Sequence, residues 1–268
     1  MEENEVAGLA GSGDAVELIN PAGAGNMLIV CEHASSFIPD EYNGLGLDAK
    51  ARESHIAWDP GALAVAKYLA VRFDAPLIAQ RISRLVYDCN RIAGAHDAIP
   101  EKSEIYEIPG NADLSADERR RRLARYYLPF HDAIAAVAAE KSARGRKPLL
   151  VTVHSFAPVY FGRSREVEVG VLHDEDARLA DALIQELAAD ERYVVRRNEP
   201  YGPEDGVTHT LIEHGISRGL ANVMLEIRNN LIADENAETA MADWLGDGVE
   251  RALARLGRLS GIEQVETG

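Results

Sequence analysis

Cysteine is nearly absent: Cys31 and Cys89 are the two in 268 residues. Two thiols supply neither a disulfide framework nor a four-thiolate zinc site. Positive charge is outnumbered, 28 Lys and Arg against 44 Asp and Glu, which leaves a formal net charge of −16. That balance argues against a polyanion as partner and favours solubility. The one basic run, Glu118–Arg125 (ERRRRLAR), sits beside Asp113, Asp117 and Glu118. On a helix its arginines spread around the circumference, so it reads as a solvated face and not as a nucleic-acid site. No window approaches the roughly 18 apolar residues of a membrane span. The opening MEENEVAGLAGSGD is acidic and lacks the apolar centre of a signal peptide. A cytoplasmic protein that engages neither membrane nor nucleic acid is expected. Oligomeric state has no signature.

Apolar residues make up 46% of the chain, enough at this length for one sizeable core. The Gly-, Ala- and acid-rich residues 1–25 are expected to form a mobile arm, residues 26–260 one α/β domain, and 261–268 a tail. Met27–Val30, Leu149–Val153 and Val223–Ile227 are uninterrupted apolar runs, as in strands covered on both faces. Ala75–Gln80, Leu85–Tyr87, Val167–Leu172 and Tyr193–Arg196 are weaker strand candidates. Helices are expected over His55–Phe73, Leu114–Arg144 with a kink near Pro129, Asp174–Ala189, Thr208–Arg218 stopped by Gly219, and Asn236–Leu256. In the first of these, Asp59 is placed to cap the helix and Pro60 to open it. Residues 92–112 form a long loop of the kind that often borders a binding site. Strands alternating with helices predict a sheet with helices on both faces.

The apolar runs end in chemistry. Met27–Val30 runs into Cys31, Glu32 and His33; Leu149–Val153 ends in His154; the third run carries Glu226 and then Arg228. The carboxyl ends of strands are where open α/β sheets assemble their sites. Two imidazoles, one carboxylate and a water make the ligand set of a catalytic zinc with an open position, and a further carboxylate can take a proton from that water. Each residue also has a plain role open to it, a helix cap for Asp59 and a hydrogen-bonded strand-end histidine for His33 or His154. Glu226 is harder to place plainly, because a carboxylate in an apolar strand needs Arg228, a metal or a catalytic setting. The segment Ser83–Arg91 (SRLVYDCNR) adds Arg84, Asn90 and Arg91. A guanidinium there suits a substrate carboxylate, with Asp88 expected to neutralise one of the arginines.

The chain resembles the N-formylglutamate amidohydrolases. The likeness rests on CEHASSFIP (Cys31–Pro39), HIAWDPGA (His55–Ala62), SRLVYDCNR, LPFH (Leu128–His131), VTVHSF (Val151–Phe156), PYGPEDGVTHT (Pro200–Thr210) and LEIRNNLI (Leu225–Ile232). It implies a three-layer α/β/α sandwich with a mixed, mostly parallel sheet, similar to zinc carboxypeptidases and muramoyl-alanine amidases. It further implies a divalent metal, zinc in the first instance, held by His33, His154 and Asp59, with His55 as the competing third ligand. Glu226 would be the general base. Arg84, Asn90, Arg91, His209, Tyr201 and Arg228 would bind a small acidic N-acyl amino acid such as N-formyl-L-glutamate, releasing formate. Better-studied members carry a proline where this chain has Glu32, a departure expected to bear on the substrate more than on the metal. The rival readings are cleavage of another N-acyl amino acid or peptide amide, a thiol hydrolase built on Cys31 and His33, and a carboxylate-binding protein without catalysis. His131 is expected to pack in the interior.

Overall fold

In the computed structural model, residues 15–145 and 147–266 are described. Seven strands form one sheet: β1 (Val16–Ile19), β2 (Met27–Cys31), β3 (Leu77–Gln80), β4 (Leu149–Phe156), β5 (Val169–Leu172), β6 (Val195–Arg197) and β7 (Asn222–Arg228). Their order is β1-β3-β2-β4-β7-β5-β6. The central β3, β2, β4 and β7 run parallel, while β1 and β5 each pair antiparallel with their central neighbour. The sheet is thus mixed and mostly parallel.

Side chains alternate across the strands and divide the core in two. Ile29, Val151, Val153 and Leu225 face α1 (Ala62–Arg72), α3 (Arg178–Ala188) and α4 (Glu235–Glu266). Leu28, Val30, Leu150 and Met224 face α2 (Leu128–Ala143) and the loop residues Leu85, Tyr87 and Ile99. Three layers result, with the carboxyl ends of β2, β4 and β7 side by side.

Several elements differ from the sequence reading, each for a local reason. Residues 1–14 of the expected arm lie outside the described residues. From Val16, though, the chain forms β1, because Val16 and Leu18 pack against the α2-side core while Ile19 packs on the other face. The closing helix continues beyond residue 260, where a tail was expected, to Glu266; residues 267–268 are outside the described residues. Leu85–Tyr87 is a turn and not a strand, its apolar side chains buried under the sheet. Residues 92–112 contain a small hairpin, Lys102–Ser103 with Tyr106–Glu107. Ahead of Pro129, which lacks an N–H donor, one wide turn (Leu123–Tyr127) separates the helix Ala116–Arg122 from α2. The arginine run has acidic partners: Arg120 bonds Asp117, Arg121 and Arg122 bond Glu118, and Arg125 bonds Glu41. No helix among the described residues is long and apolar enough to cross a membrane.

Candidate metal centre and active site

Asp59 does not cap α1. That helix begins at Ala62 behind Gly61, which holds φ +80° against Ile232 where a Cβ would clash. The Asp59 carboxylate is thereby left to turn toward the strand ends. Its Oδ2 lies 3.3 Å from His33 Nδ1 and 2.9 Å from His154 Nδ1, and the two nitrogens are 3.2 Å apart. All three side chains are buried, at 2–3% exposure. His55, the competing ligand, lies apart from this triangle with Nε2 3.0 Å from Glu104 Oε2.

The far nitrogen of His33 settles what its near one offers, and that of His154 faces an acid as well. His33 Nε2 donates to Asp88 Oδ1 at 2.8 Å. His154 Nε2 approaches Glu32 Oε2 at 3.1 Å, close enough to pair but off the hydrogen-bond direction. With protons on the Nε2 atoms, both Nδ1 lone pairs point at each other and at a carboxylate oxygen. In that tautomer three acceptors converge, an arrangement that a cation between them would stabilise. A tetrahedral ion with bonds of about 2.0–2.1 Å sets its ligand atoms about 3.3 Å apart, close to the spacing found. The surroundings agree: Glu32, Asp59, Asp88 and Glu226 are all buried, against two adjoining guanidinium groups among the described residues, Arg84 at 2.8 Å from Asp88 and 3.6 Å from Asp59, and Arg91 at 3.8 Å from Asp88. The donor set fits a divalent cation.

Electrostatics differ sharply among these acids. Burial works against the charge of Asp59, but His33 and His154 outweigh it and hold the carboxyl well below the usual range. Asp88 is likewise held far down, against its burial, by Arg84 and His33. Burial opposes charge on His154 too, yet Glu32 and Asp59 raise it well above the ordinary histidine value. Glu226 goes the other way. Burial, reinforced by Asp59 and only partly offset by His154, pushes it up to about 7. A carboxyl poised there can both take and return a proton near neutrality.

Sheet register explains the company His154 keeps. Glu226 on β7 is its direct partner. Glu32 follows β2 by one residue and lies, like His154, two positions beyond the paired Val30 and Thr152. The imidazole is therefore flanked in the sheet by a carboxylate on each side. Only Glu226 lines the cavity that opens over the triangle, about 370 Å³ in volume. Glu32 is fully buried, with the Thr210 hydroxyl among the groups stabilising its charge. The departure at position 32 thus places a carboxylate beside His154 and outside the cavity lining.

Arg84, Asn90, Arg91 and Tyr201 all line the cavity. Arg84 is engaged by Asp88 and Asp59, as above. Arg91 bonds the Asp205 carbonyl at 2.8 Å and lies 3.4 Å from Asp97. Asn90 ties down the 207–210 loop through Val207 O and Thr210 N. The Tyr201 hydroxyl accepts from Arg165 Nη1 at 2.9 Å. Two expected contributors are elsewhere. His209 pairs with the Tyr127 hydroxyl at 2.7 Å and does not line the cavity. Arg228 does not pair with Glu226; it follows the last buried residue of β7 and reaches outward to Glu168 at 2.9 Å. On the cavity lining, Glu104 ties its own hairpin to two other parts of the chain: one oxygen meets His55, and the other accepts from the Phe161 N–H at 2.9 Å, in the hairpin Val159–Tyr160 with Arg163–Ser164. Cys31 is sealed in the core, where burial raises its thiol far above the ordinary value, so it offers no thiolate.

Sequence reasoning missed Asp88 and Glu32 as partners of the imidazoles. Glu32 had a signal, a charge at the end of a strand buried throughout. Asp88 was expected only to neutralise an arginine, which it does at Arg84, and nothing in the segment signalled its second contact with His33.

Comparison with known proteins agrees with this geometry. The chain matches the N-formylglutamate amidohydrolase family over residues 25–233, a span that includes His33, Asp59, His154 and Glu226. Gene product Atu2144 from Agrobacterium tumefaciens is 54% identical and superposes with a TM-score of 0.90, over 92% of this chain and 97% of that one. The N-formylglutamate amidohydrolase from Ralstonia eutropha JMP134 shares the fold at 21% identity and a TM-score of 0.60, over 91% of this chain and 99% of that one. No curated protein matches the sequence significantly. An acid-flanked pair of imidazoles, a raised carboxyl and a family match across most of the chain lead to one conclusion: the protein belongs to the N-formylglutamate amidohydrolase family and is an amide-cleaving hydrolase.

Proposed function

We propose that this protein is a metal-dependent deformylase or deacylase of N-acyl amino acids, with N-formyl-L-glutamate the first substrate to test. The carrying observation is the meeting of His33 Nδ1, His154 Nδ1 and Asp59 Oδ2 within hydrogen-bond range of one another, beneath a cavity that Glu226 also lines. These three residues would hold zinc or another divalent ion, which when bound supplies Lewis-acid polarisation of a carbonyl and acidification of water. Glu226 accepts the proton of the attacking water at a carboxylate oxygen, and then returns it to the departing amine nitrogen. Its position near neutrality and its place on the cavity lining suit it to that exchange. Tyr201, whose oxygen already accepts from Arg165, has its own O–H to give to the developing oxyanion. Arg84 and Arg91 contribute positive charge to the wall on which a substrate carboxylate would lie.

One observation favours a second reading. Asp97, Glu104 and Asp205 also line the cavity, which counts against a second substrate carboxylate and suits an N-acyl amino acid with a neutral or basic side chain. The experiment is metal analysis of the purified protein followed by release of formate or acid from a panel of N-formyl and N-acetyl amino acids, before and after chelation. Hydrolysis of N-formylglutamate that chelator abolishes and metal restores is the expected result. Preference for a neutral or basic N-acyl amino acid selects the second reading, and full activity in chelator overturns the metal mechanism.

A further inference from the structure

Glu32 and Glu226 flank the same imidazole from adjoining parallel strands, yet their surroundings are opposite. Glu226 lines the cavity; Glu32 does not, and is wholly shielded from solvent. Both Glu32 oxygens lack a well-directed hydrogen bond, and the cationic partner within ion-pair range among the described residues is His154, at 3.1 Å from Nε2. Asp88, the corresponding acid behind His33, is neutralised by Arg84 at 2.8 Å. Glu32 has no such guanidinium. A carboxylate so placed is heavily destabilising unless the group it faces needs its charge. It neither lines the cavity nor caps an element, and apart from the Thr210 hydroxyl the groups that act on its charge are the proposed metal ligands, His154 foremost and then His33.

We propose that Glu32 is a positioning residue for the metal centre: facing His154 Nε2, it fixes the tautomer whose Nδ1 lone pair enters the donor triangle, and lends that nitrogen basicity. The inference rests on the metal reading above. An outer carboxylate fixes ring orientation and strengthens the ligand it pairs with, and its loss typically lowers metal affinity by about 10–100-fold. Asp88 does the same for His33, but its charge is shared with Arg84, so the two supports are unequal.

The test uses the full chain with Glu32→Leu, which keeps bulk without an acceptor, and Glu32→Gln, which keeps an acceptor oxygen. Zinc affinity is measured by competition with a chromogenic chelator, and ring protonation by nitrogen NMR of histidine-labelled protein. In the zinc-loaded wild type, His154 should carry its proton on Nε2. Glu32→Leu should lose zinc affinity by about 10–100-fold, and Glu32→Gln should recover part of that loss. Wild-type zinc affinity in a folded Glu32→Leu protein overturns the inference, as does an equal loss in both variants. If the leucine variant does not fold, the wild-type spectrum decides alone: a proton on Nδ1 and zinc on Nε2 of His154 overturns it. Wild-type protein that takes up zinc but ignores Glu32 refutes this inference only, whereas wild-type protein that takes up none refutes the metal reading as well.

Discussion

Two buried histidine pairs have nearly the same ring spacing, 4.9 and 5.0 Å between centroids, and opposite character. His33 and His154 face each other at 3.2 Å; His131 and His214 do so at 2.7 Å. In the second pair, His131 Nε2 donates to the Cys89 carbonyl, which leaves its Nδ1 to accept from His214 Nε2–H. His214 Nδ1 has no partner at all. No carboxylate touches that pair among the described residues, so burial dominates and lowers His131 to about 4 and His214 to about 2. The first pair is just as buried, but four acids surround it, Glu32, Asp59, Asp88 and Glu226. Proximity of two imidazoles therefore says little by itself. What stands behind them decides whether they are packing or a cation site.

The contrast can be broken most severely at the acid-flanked pair. His154→Ala should abolish metal retention and reduce amide hydrolysis by about 10³-fold or more, whereas His131→Leu should leave metal content stoichiometric; elemental analysis of both variants checks this. Glu226→Gln should keep the metal and lower kcat by about 10²-fold or more, with a smaller change in KM, as steady-state kinetics would read. A third measurement sharpens the difference through pH. His131 has a folded pKa below its ordinary value, so the unfolded chain binds the extra proton. Its contribution is full above about pH 6.5 and is lost as pH falls toward 4, by up to about 3 kcal/mol. Urea midpoints should fall over that window in the wild type, and the difference from His131→Leu should carry the slope. The smallest effect belongs to Arg228, which lies outside both pairs. Arg228→Ala should cost about 1 kcal/mol through the part-buried Glu168 contact and leave KM unchanged.

Much of the active centre was legible because strand ends announce themselves. His33, His154 and Glu226 each terminate or interrupt an apolar run, and the parallel sheet brings those ends together. Asp59 was visible as a residue but ambiguous in role, since a carboxylate before Pro60 reads equally well as a helix cap. Only the position of Gly61 and the late start of α1 separate the two. The arginines were harder. Arg84 and Arg91 line the cavity as expected, yet the acids that engage them come from turns and from residues far along the chain. Arg228 and His209 were misplaced because a side chain's neighbours depend on loop paths that composition does not encode. The edge strand β1 was hidden for a similar reason: four residues of alternation are too few to stand out beside a Gly-rich, acidic stretch.

Glu104 joins three stretches of chain that line the cavity, its own, that of His55 and that of Tyr160. Its two oxygens tie its own hairpin to His55 and to the hairpin at Phe161, so neither neighbour can swing away without leaving a carboxylate oxygen bare. One side chain thus couples loops that the sequence keeps about 50 residues apart, and whatever loosens one contact loosens the rim as a unit.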